Sequence, residues 1–168
     1  METVLPIIKN KSEIELQTRR GMFVDLVFDN PESPIVMYGE DVGGSISFSP
    51  SEGREADEAQ KSAALENLRN IQISYSTQDF DGIKIAIIEH EYAAEKILDP
   101  SFLLGLSKDL ESEEIAIGIP MKGIMIAAPK ASARNVLGAT INGYENSRTY
   151  PVSKSIFLVS GGEILAIS

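Results

Sequence analysis

The sequence predicts an α+β fold in which a mixed, largely antiparallel sheet is built from hairpins and three to four helices pack on it. Three pairs of short apolar segments, each joined by turn residues, predict the hairpins, and helical periods between the pairs predict the helices. The paired segments are Met22–Phe28 with Ile35–Tyr38, Ile115–Ile119 with Gly123–Ala128, and Ser155–Val159 with Glu163–Ile167. Because no linker, repeat or low-complexity segment interrupts this order, residues 1–168 are expected to form one domain.

Turn and helix-start signals define the first third of the chain. Two prolines and an asparagine within Asp29–Pro34 favour a turn before Ile35–Tyr38. Glycines and prolines then interrupt the pattern, and acids within Glu55–Glu58 favour the N-terminus of a helix, so a helix is expected to begin near Gly53–Glu55. Alanines and Leu68 on one face of this helix are expected to pack on the sheet.

Strands and helices continue in the same manner over the rest of the chain. Gly82–Ile88 has the composition of a largely buried strand. Tyr92–Leu98 and Ser101–Leu110 are predicted as short helices separated at a proline, which is tolerated in a first turn and not in a helix interior. The clearest helical period, Ala133–Tyr144, predicts a helix on the sheet, and Gly161–Gly162 supply the positive φ angles of the last hairpin turn.

Charge and composition exclude several classes of protein. The 168 residues include 25 acids and 15 bases, and 20 of the acids but only 6 of the bases lie between Phe23 and Met121. Because an acidic surface repels phosphate backbones, no nucleic-acid partner is expected. The absence of cysteine excludes disulfides and thiolate sites. Since no apolar run approaches about 18 residues and the first residues lack a signal-peptide pattern, we expect a cytoplasmic protein with no membrane span.

The segment around the single histidine is the first candidate for chemistry. His90 lies between Glu89 and Glu91 at the end of the predicted strand. Strand alternation places the two acids on one face and His90 on the other, and metal sites rarely depend on one histidine, so no metal site is predicted. A solvated or locally hydrogen-bonded His90 is the simpler interpretation, and a binding site that includes Glu89 and His90 is the alternative.

Lys122 and Asp29 are the other candidates for a binding site. Lys122 lies at the predicted tip of a hairpin, either as a solvated turn residue or as an anchor for an anionic ligand or partner. Asp29 directly follows the first apolar strand. The glycine-rich segment Gly39–Ser45 has two acids and lacks the lysine of a phosphate-binding loop, and no Gly-x-Ser-x-Gly pattern occurs. The sequence therefore predicts neither a cofactor nor a catalytic residue.

Several segments in a fixed order carry a resemblance to a known family. They are Leu5–Lys9, Phe23–Asp29, Tyr38–Val42 before Ser49–Glu52, Ala63–Leu68, Ala93–Leu103, and Tyr150–Phe157 followed by Gly161–Gly162. In this order they resemble the YtpQ-like family of bacterial proteins, whose domain has no known function, and they span nearly the whole chain. The family tends to carry an Arg-Asp pair after the proline of the central hairpin, whereas this chain has Lys122–Gly123 near that proline. The resemblance implies a shared fold and carries over no catalytic residue.

Two functions follow as hypotheses. The first is a non-enzymatic module that binds a protein partner or a second copy of itself through exposed sheet edges and the acidic middle of the chain. In the self-association version, the acidic middle meets the mildly basic part from Lys122 onward in a second copy. The second is an enzyme or small-ligand binder whose pocket combines distant residues, with Lys122, Asp29, Glu89 and His90 as the first to test.

Overall fold

The computed structural model describes residues 3–11, 23–27, 29–42, 45–47, 58–148 and 150–168. Within these ranges the chain forms ten strands, three α-helices and two short 3-10 helices. The strands are β1 (Thr3–Lys9), β2 (Phe23–Asp25), β3 (Ile35–Val42), β4 (Ser45–Ser47), β5 (Ser76–Phe80), β6 (Ile83–Glu89), β7 (Glu114–Met121), β8 (Ile124–Pro129), β9 (Ile156–Ser160) and β10 (Glu163–Ile167). The α-helices are α1 (Glu58–Asn70), α2 (Pro100–Asp109) and α3 (Ala133–Glu145), and the 3-10 helices are Ala94–Leu98 and Lys130–Ser132.

The described strands form two antiparallel sheets. In the four-stranded sheet, β1 and β2 flank β3, and β4 pairs with the end of β3. The six-stranded sheet has the order β10-β9-β7-β8-β6-β5, and every neighbouring pair is antiparallel. The predicted α+β fold with antiparallel hairpins is therefore confirmed, and the strands divide between two sheets.

All three predicted hairpins form, as β2–β3, β7–β8 and β9–β10. Gly161 and Gly162 have φ angles of 60° and 79°, as the tight turn before β10 requires. The expected helix start at Gly53–Glu55 lies outside the described residues, and α1 is described from Glu58. β1, β4 and β5 are not predicted from the sequence.

The six-stranded sheet is packed on both faces. On one face, Val136 of α3 packs with Ala116, Ala128 and Ile156 of the sheet. On the other face, the main core joins this sheet to α2 and to the four-stranded sheet; it includes Ile8, Val36, Ile88, Leu103, Leu106, Ile117 and Phe157. The four-stranded sheet and α2 therefore cover one face of the six-stranded sheet, while α3 covers part of the other face.

A missing side chain lets α3 approach the sheet closely. A Cβ at Gly118 in β7 would overlap the hydroxyl of Thr140 in α3. Thr140 is fully buried, and its Oγ1 donates to the Val136 carbonyl at 2.6 Å, so the hydroxyl is fixed in place. Gly118 is thus required by packing rather than by a positive φ angle.

A buried ion pair joins α1 to α2. Lys96 Nζ lies 3.1 Å from Asp99 Oδ2 and donates to the Leu68 carbonyl near the end of α1 at 2.9 Å. Asp99 Oδ1 also accepts hydrogen bonds from the amides of Ser101 and Phe102 in the first turn of α2. Pro100 occupies the first position of this helix. The two predicted short helices are thereby confirmed as a 3-10 helix followed by an α-helix.

Candidate functional site

Three of the four predicted binding candidates lie at one end of the six-stranded sheet. Glu89 ends β6 and pairs with the first residue of β8, and the His90 amide donates to the Gly123 carbonyl at 3.0 Å. Lys122 precedes Gly123 in the β7–β8 turn. Asp29 instead lies in the connection between β2 and β3 of the other sheet, where it is exposed with a φ angle of 55°. The structure therefore brings Glu89, His90 and Lys122 to one end of a sheet and places Asp29 elsewhere.

His90 makes a local hydrogen bond. Its Nδ1 accepts from the Tyr92 amide at 3.1 Å, and the two rings lie 6.1 Å apart between centroids. This bond places the proton of neutral His90 on Nε2. Among the residues that the structure describes, no group of three His, Asp or Glu side chains is placed to hold a metal ion.

Glu95 is a buried carboxyl near Lys122 that sequence reasoning missed. Its Oε1 accepts from the Ile8 amide at 3.2 Å, and its Oε2 has no hydrogen-bond partner among the described residues. Burial raises the pKa of Glu95 to about 7; main-chain hydrogen bonds and the charge of Lys122 oppose this rise, and Glu91 adds to it. Nothing in the sequence marks Glu95 as buried, because it precedes Lys96 in a segment of ordinary helical composition.

The outer edge of β1, the side that faces away from β3, is occupied by side chains. Antiparallel alternation directs the main-chain groups of Val4, Pro6 and Ile8 to this side. The Val4 carbonyl accepts from Asn67 Nδ2 at 2.9 Å, Pro6 has no N–H, and the Ile8 amide donates to Glu95. Side chains from α1 and from the 3-10 helix Ala94–Leu98 therefore occupy the position of a further strand.

β5, the last strand of the six-stranded sheet, is exposed along most of its length. All of its residues except Thr77 are exposed. Asp81 and Gly82, with φ angles of 51° and 82°, form the two-residue turn to β6, which is typical of a type I′ hairpin. The Gly82 amide donates to Asp79 Oδ1 at 2.8 Å. β5 thus belongs to a regular hairpin, and among the described strands only β6 pairs with it.

Alternation gives the direction of each main-chain group in β5. In a two-residue hairpin the residues that flank the turn, here Phe80 and Ile83, form a hydrogen-bonded pair. Because the direction alternates along the strand, the main-chain groups of Phe80, Gln78 and Ser76 point towards β6. Those of Asp79 and Thr77 point away from β6. No described residue bonds to these groups. We call this side of Ser76–Phe80 the β5 edge.

Apolar side chains lie beside the β5 edge on the face that carries α3. Ile87 pairs with Ile126 of β8, which pairs with Gly118 beneath α3, so Ile87 lies on that face. α3 covers β7, β8 and β9, while Ile87 and Phe80 are 40% and 51% exposed. The residues Phe80, Ile83, Ile85 and Ile87, which share this face of the hairpin, are called the apolar strip below.

Two surface grooves are lined by described residues. One, of about 520 Å³, lies between the C-terminal half of α2 and the β9–β10 turn. The other, of about 370 Å³, lies between the end of β1 and α3, with Lys11 and Lys154 in its wall. Neither groove is lined by any predicted candidate, namely Lys122, Asp29, Glu89 or His90.

Comparisons with known proteins give no relative from which a function could be taken. No family model, no curated protein and no solved structure matches the chain. The resemblance to the YtpQ-like family therefore stays a prediction. Within the described ranges, every helix is too short or too polar to cross a membrane.

Proposed function

We propose that the chain is a non-enzymatic protein-interaction module that receives an extended polypeptide segment at the β5 edge. The contrast between two strand edges carries this proposal. The outer edge of β1 is bonded to Asn67 and Glu95, whereas the outward main-chain groups of Thr77 and Asp79 bond to no described residue. A row of unpaired donors and acceptors is a template for an added strand.

The side chains around the β5 edge also favour strand addition. Many natural edge strands block pairing with lysine, proline or a bulge. β5 has neither lysine nor proline, and it pairs with β6 without a register shift. Its one charged side chain, Asp79, accepts from the Gly82 amide of its own hairpin. An added strand would cover part of the exposed surface of Phe80, and burial of apolar surface contributes about 25 cal/mol per Å².

Thr77→Pro should weaken binding of extended peptides about five- to thirtyfold. Proline removes the outward amide of Thr77, and one or two lost main-chain hydrogen bonds of about 1 kcal/mol each give a change of this size. The measurement is panning of a random peptide library on the immobilised chain, followed by titration of the enriched peptides. Thr77→Val is the matched control, because it keeps the amide and the shape of the side chain.

Two results decide this test. Loss of binding to folded Thr77→Pro, with binding to Thr77→Val retained, supports strand addition at the β5 edge. Equal binding of the enriched peptides to both variants, with circular dichroism showing both folded, contradicts it.

A second candidate function, a small-ligand site at Lys122, is supported by the position of Glu89, His90 and Lys122 at one end of the six-stranded sheet. We expect small carboxylates or phosphates to shift the NMR amide signals of Lys122 and Gly123, and Lys122→Ala to abolish these shifts. Lys130→Ala, a change at an exposed lysine, should leave them intact. No shift in the unmodified chain at saturating ligand would refute this candidate.

A further inference from the structure

We infer that the segment received at the β5 edge is β5 of a second copy of this chain, antiparallel to the first and with Gln78 opposite Gln78. This inference rests on the proposed function and names its partner. It follows from the direction of the main-chain groups, from the side chains that the two-fold register brings together, and from the position of the apolar strip.

The main-chain groups of β5 match those of an antiparallel second copy. Thr77 and Asp79 both point to the β5 edge and lie one residue on either side of Gln78. A two-fold axis at Gln78 therefore places each Thr77 opposite Asp79 of the other copy. Both pairs are then hydrogen-bonded pairs, in which two residues exchange both of their main-chain bonds. All outward groups of β5 are satisfied in this register.

Neighbouring two-fold registers are less favourable. An axis at Asp79 would place two carboxylates directly opposite each other, which is destabilising. An axis at Thr77 would place Phe80 opposite Ser74, which lies outside the strand. With the axis at Gln78, Asp79 faces a threonine hydroxyl that can donate to it, and the five residues of each strand are paired.

The apolar strips of the two copies also meet in this register. Gln78 and Ser76 share the face of the apolar strip, because they pair with Ile85 and Ile87. The axis at Gln78 places Phe80 of the second copy opposite Ser76 of the first. The small side chain of Ser76 then lies between this Phe80 and Ile87, which pairs with Ser76 on its other side. The Phe80 ring can then reach across Ser76 and cover Ile87, an apolar residue of β6 that α3 leaves exposed.

The net charge gives the association of the two copies a distinctive salt dependence. Each chain carries a formal charge of −10, so two copies repel each other at long range. Added salt screens this repulsion, with a Debye length of about 10 Å at 0.1 M and about 3 Å at 1 M. The dimer should therefore strengthen as salt is added, whereas a complex with a basic peptide would weaken.

The test is molar mass by light scattering, at low and high salt, for the unmodified chain and for Gln78→Lys and Gln78→Glu. We expect a concentration-dependent dimer that increases with salt for the unmodified chain. Each variant alone should be monomeric at low salt, because two like charges oppose each other across the axis. An equimolar mixture of the two variants should dimerise, because Lys then opposes Glu.

Gln72→Lys and Gln72→Glu are the matched controls. Gln72 is exposed and lies before β5, so the same charge changes there should leave the dimer of the unmodified chain in place. Dimerisation by the Gln78 mixture but by neither variant alone supports direct contact between the two Gln78 positions. Gain or loss of dimer in the Gln72 variants equal to that in the Gln78 variants overturns it.

Two further outcomes also overturn the inference. One is an unmodified chain that is monomeric at all accessible concentrations and both salt levels; the other is a dimer that Gln78→Lys does not weaken. Neither decides the proposed function, because peptide binding that Thr77→Pro abolishes would still establish strand addition with a different partner. Loss of that peptide result together with a Gln78-dependent dimer would limit the β5 edge to self-association.

Discussion

One carboxyl oxygen of Glu95 accepts a hydrogen bond from the Ile8 amide, and the other has no partner among the described residues. The Ile8 amide can donate to Oε1 of either the neutral or the ionised carboxyl, because that oxygen keeps a lone pair in both forms. Ionisation of Glu95 places a negative charge inside the protein. The positive charge of Lys122 stabilises this charge only in part, and the negative charge of Glu91 repels it. The protonation of this side chain is therefore coupled to folding.

The raised pKa of Glu95 sets the sign of a pH effect on stability. The folded-state pKa of about 7 exceeds the ordinary value of 4.5, so the folded chain binds more protons between these values than the unfolded chain. The free energy of unfolding should thus fall as pH rises from 4.5 to 7, by on the order of 3 kcal/mol from this group. Glu95→Gln keeps an acceptor for the Ile8 amide and should lose this part of the slope.

Urea unfolding at several pH values measures this effect. Glu113→Gln, which neutralises an exposed acid, is the control and should keep the slope of the unmodified chain. If Glu95→Gln and the unmodified chain lose stability in parallel between pH 4.5 and pH 7, Glu95 does not carry the effect.

At the scale of elements, the contact between α3 and β7 depends on the absence of a side chain at Gly118. Gly118→Ala should lower the free energy of unfolding by about 1–3 kcal/mol, because the new methyl group overlaps the buried Thr140 hydroxyl. Gly138→Ala on the exposed side of α3 has open space and should instead raise it by about 0.5–1 kcal/mol, through helix propensity.

A double variant separates this overlap from other costs of Gly118→Ala. Thr140→Ala removes the hydroxyl, so the double variant should lose less stability than the sum of the two single losses. Denaturant unfolding of all four proteins completes the cycle. Additive losses would show that the α3 contact is not limited by the Thr140 hydroxyl.

Elements with a strong hydrophobic period were predictable from the sequence, and elements defined by their neighbours were not. The α3 pattern and the three hairpins were found because their apolar residues recur at the spacing of the structure they form. β1 contains Pro6, which argues against a strand unless the proline faces an edge, as it does here. β5 was missed because its sequence, STQDF, is almost entirely exposed and shows no alternation.

At the scale of the whole molecule, the pairing of distant strands determined what the sequence could reveal about the candidate site. Glu89, His90 and Lys122 were each identified, but their common location depends on the pairing of β6 with β8, for which a single sequence has no signal. The β5 edge was not predicted, because an edge is defined by the strands that are absent beside it. The acidic charge, by contrast, was available from composition alone.

The bond between Ile8 and Glu95 has a consequence for the order of folding. Its two residues are 87 positions apart, so closing this loop costs more conformational entropy than closing any of the short hairpins. Hairpins such as β5–β6 and β7–β8 can form from local contacts, whereas β1 gains an acceptor for its Ile8 amide only when the 3-10 helix is already in place. We therefore expect the four-stranded sheet to be completed late, and refolding followed by pulsed hydrogen exchange should show the β1 amides protected after those of β6 and β8.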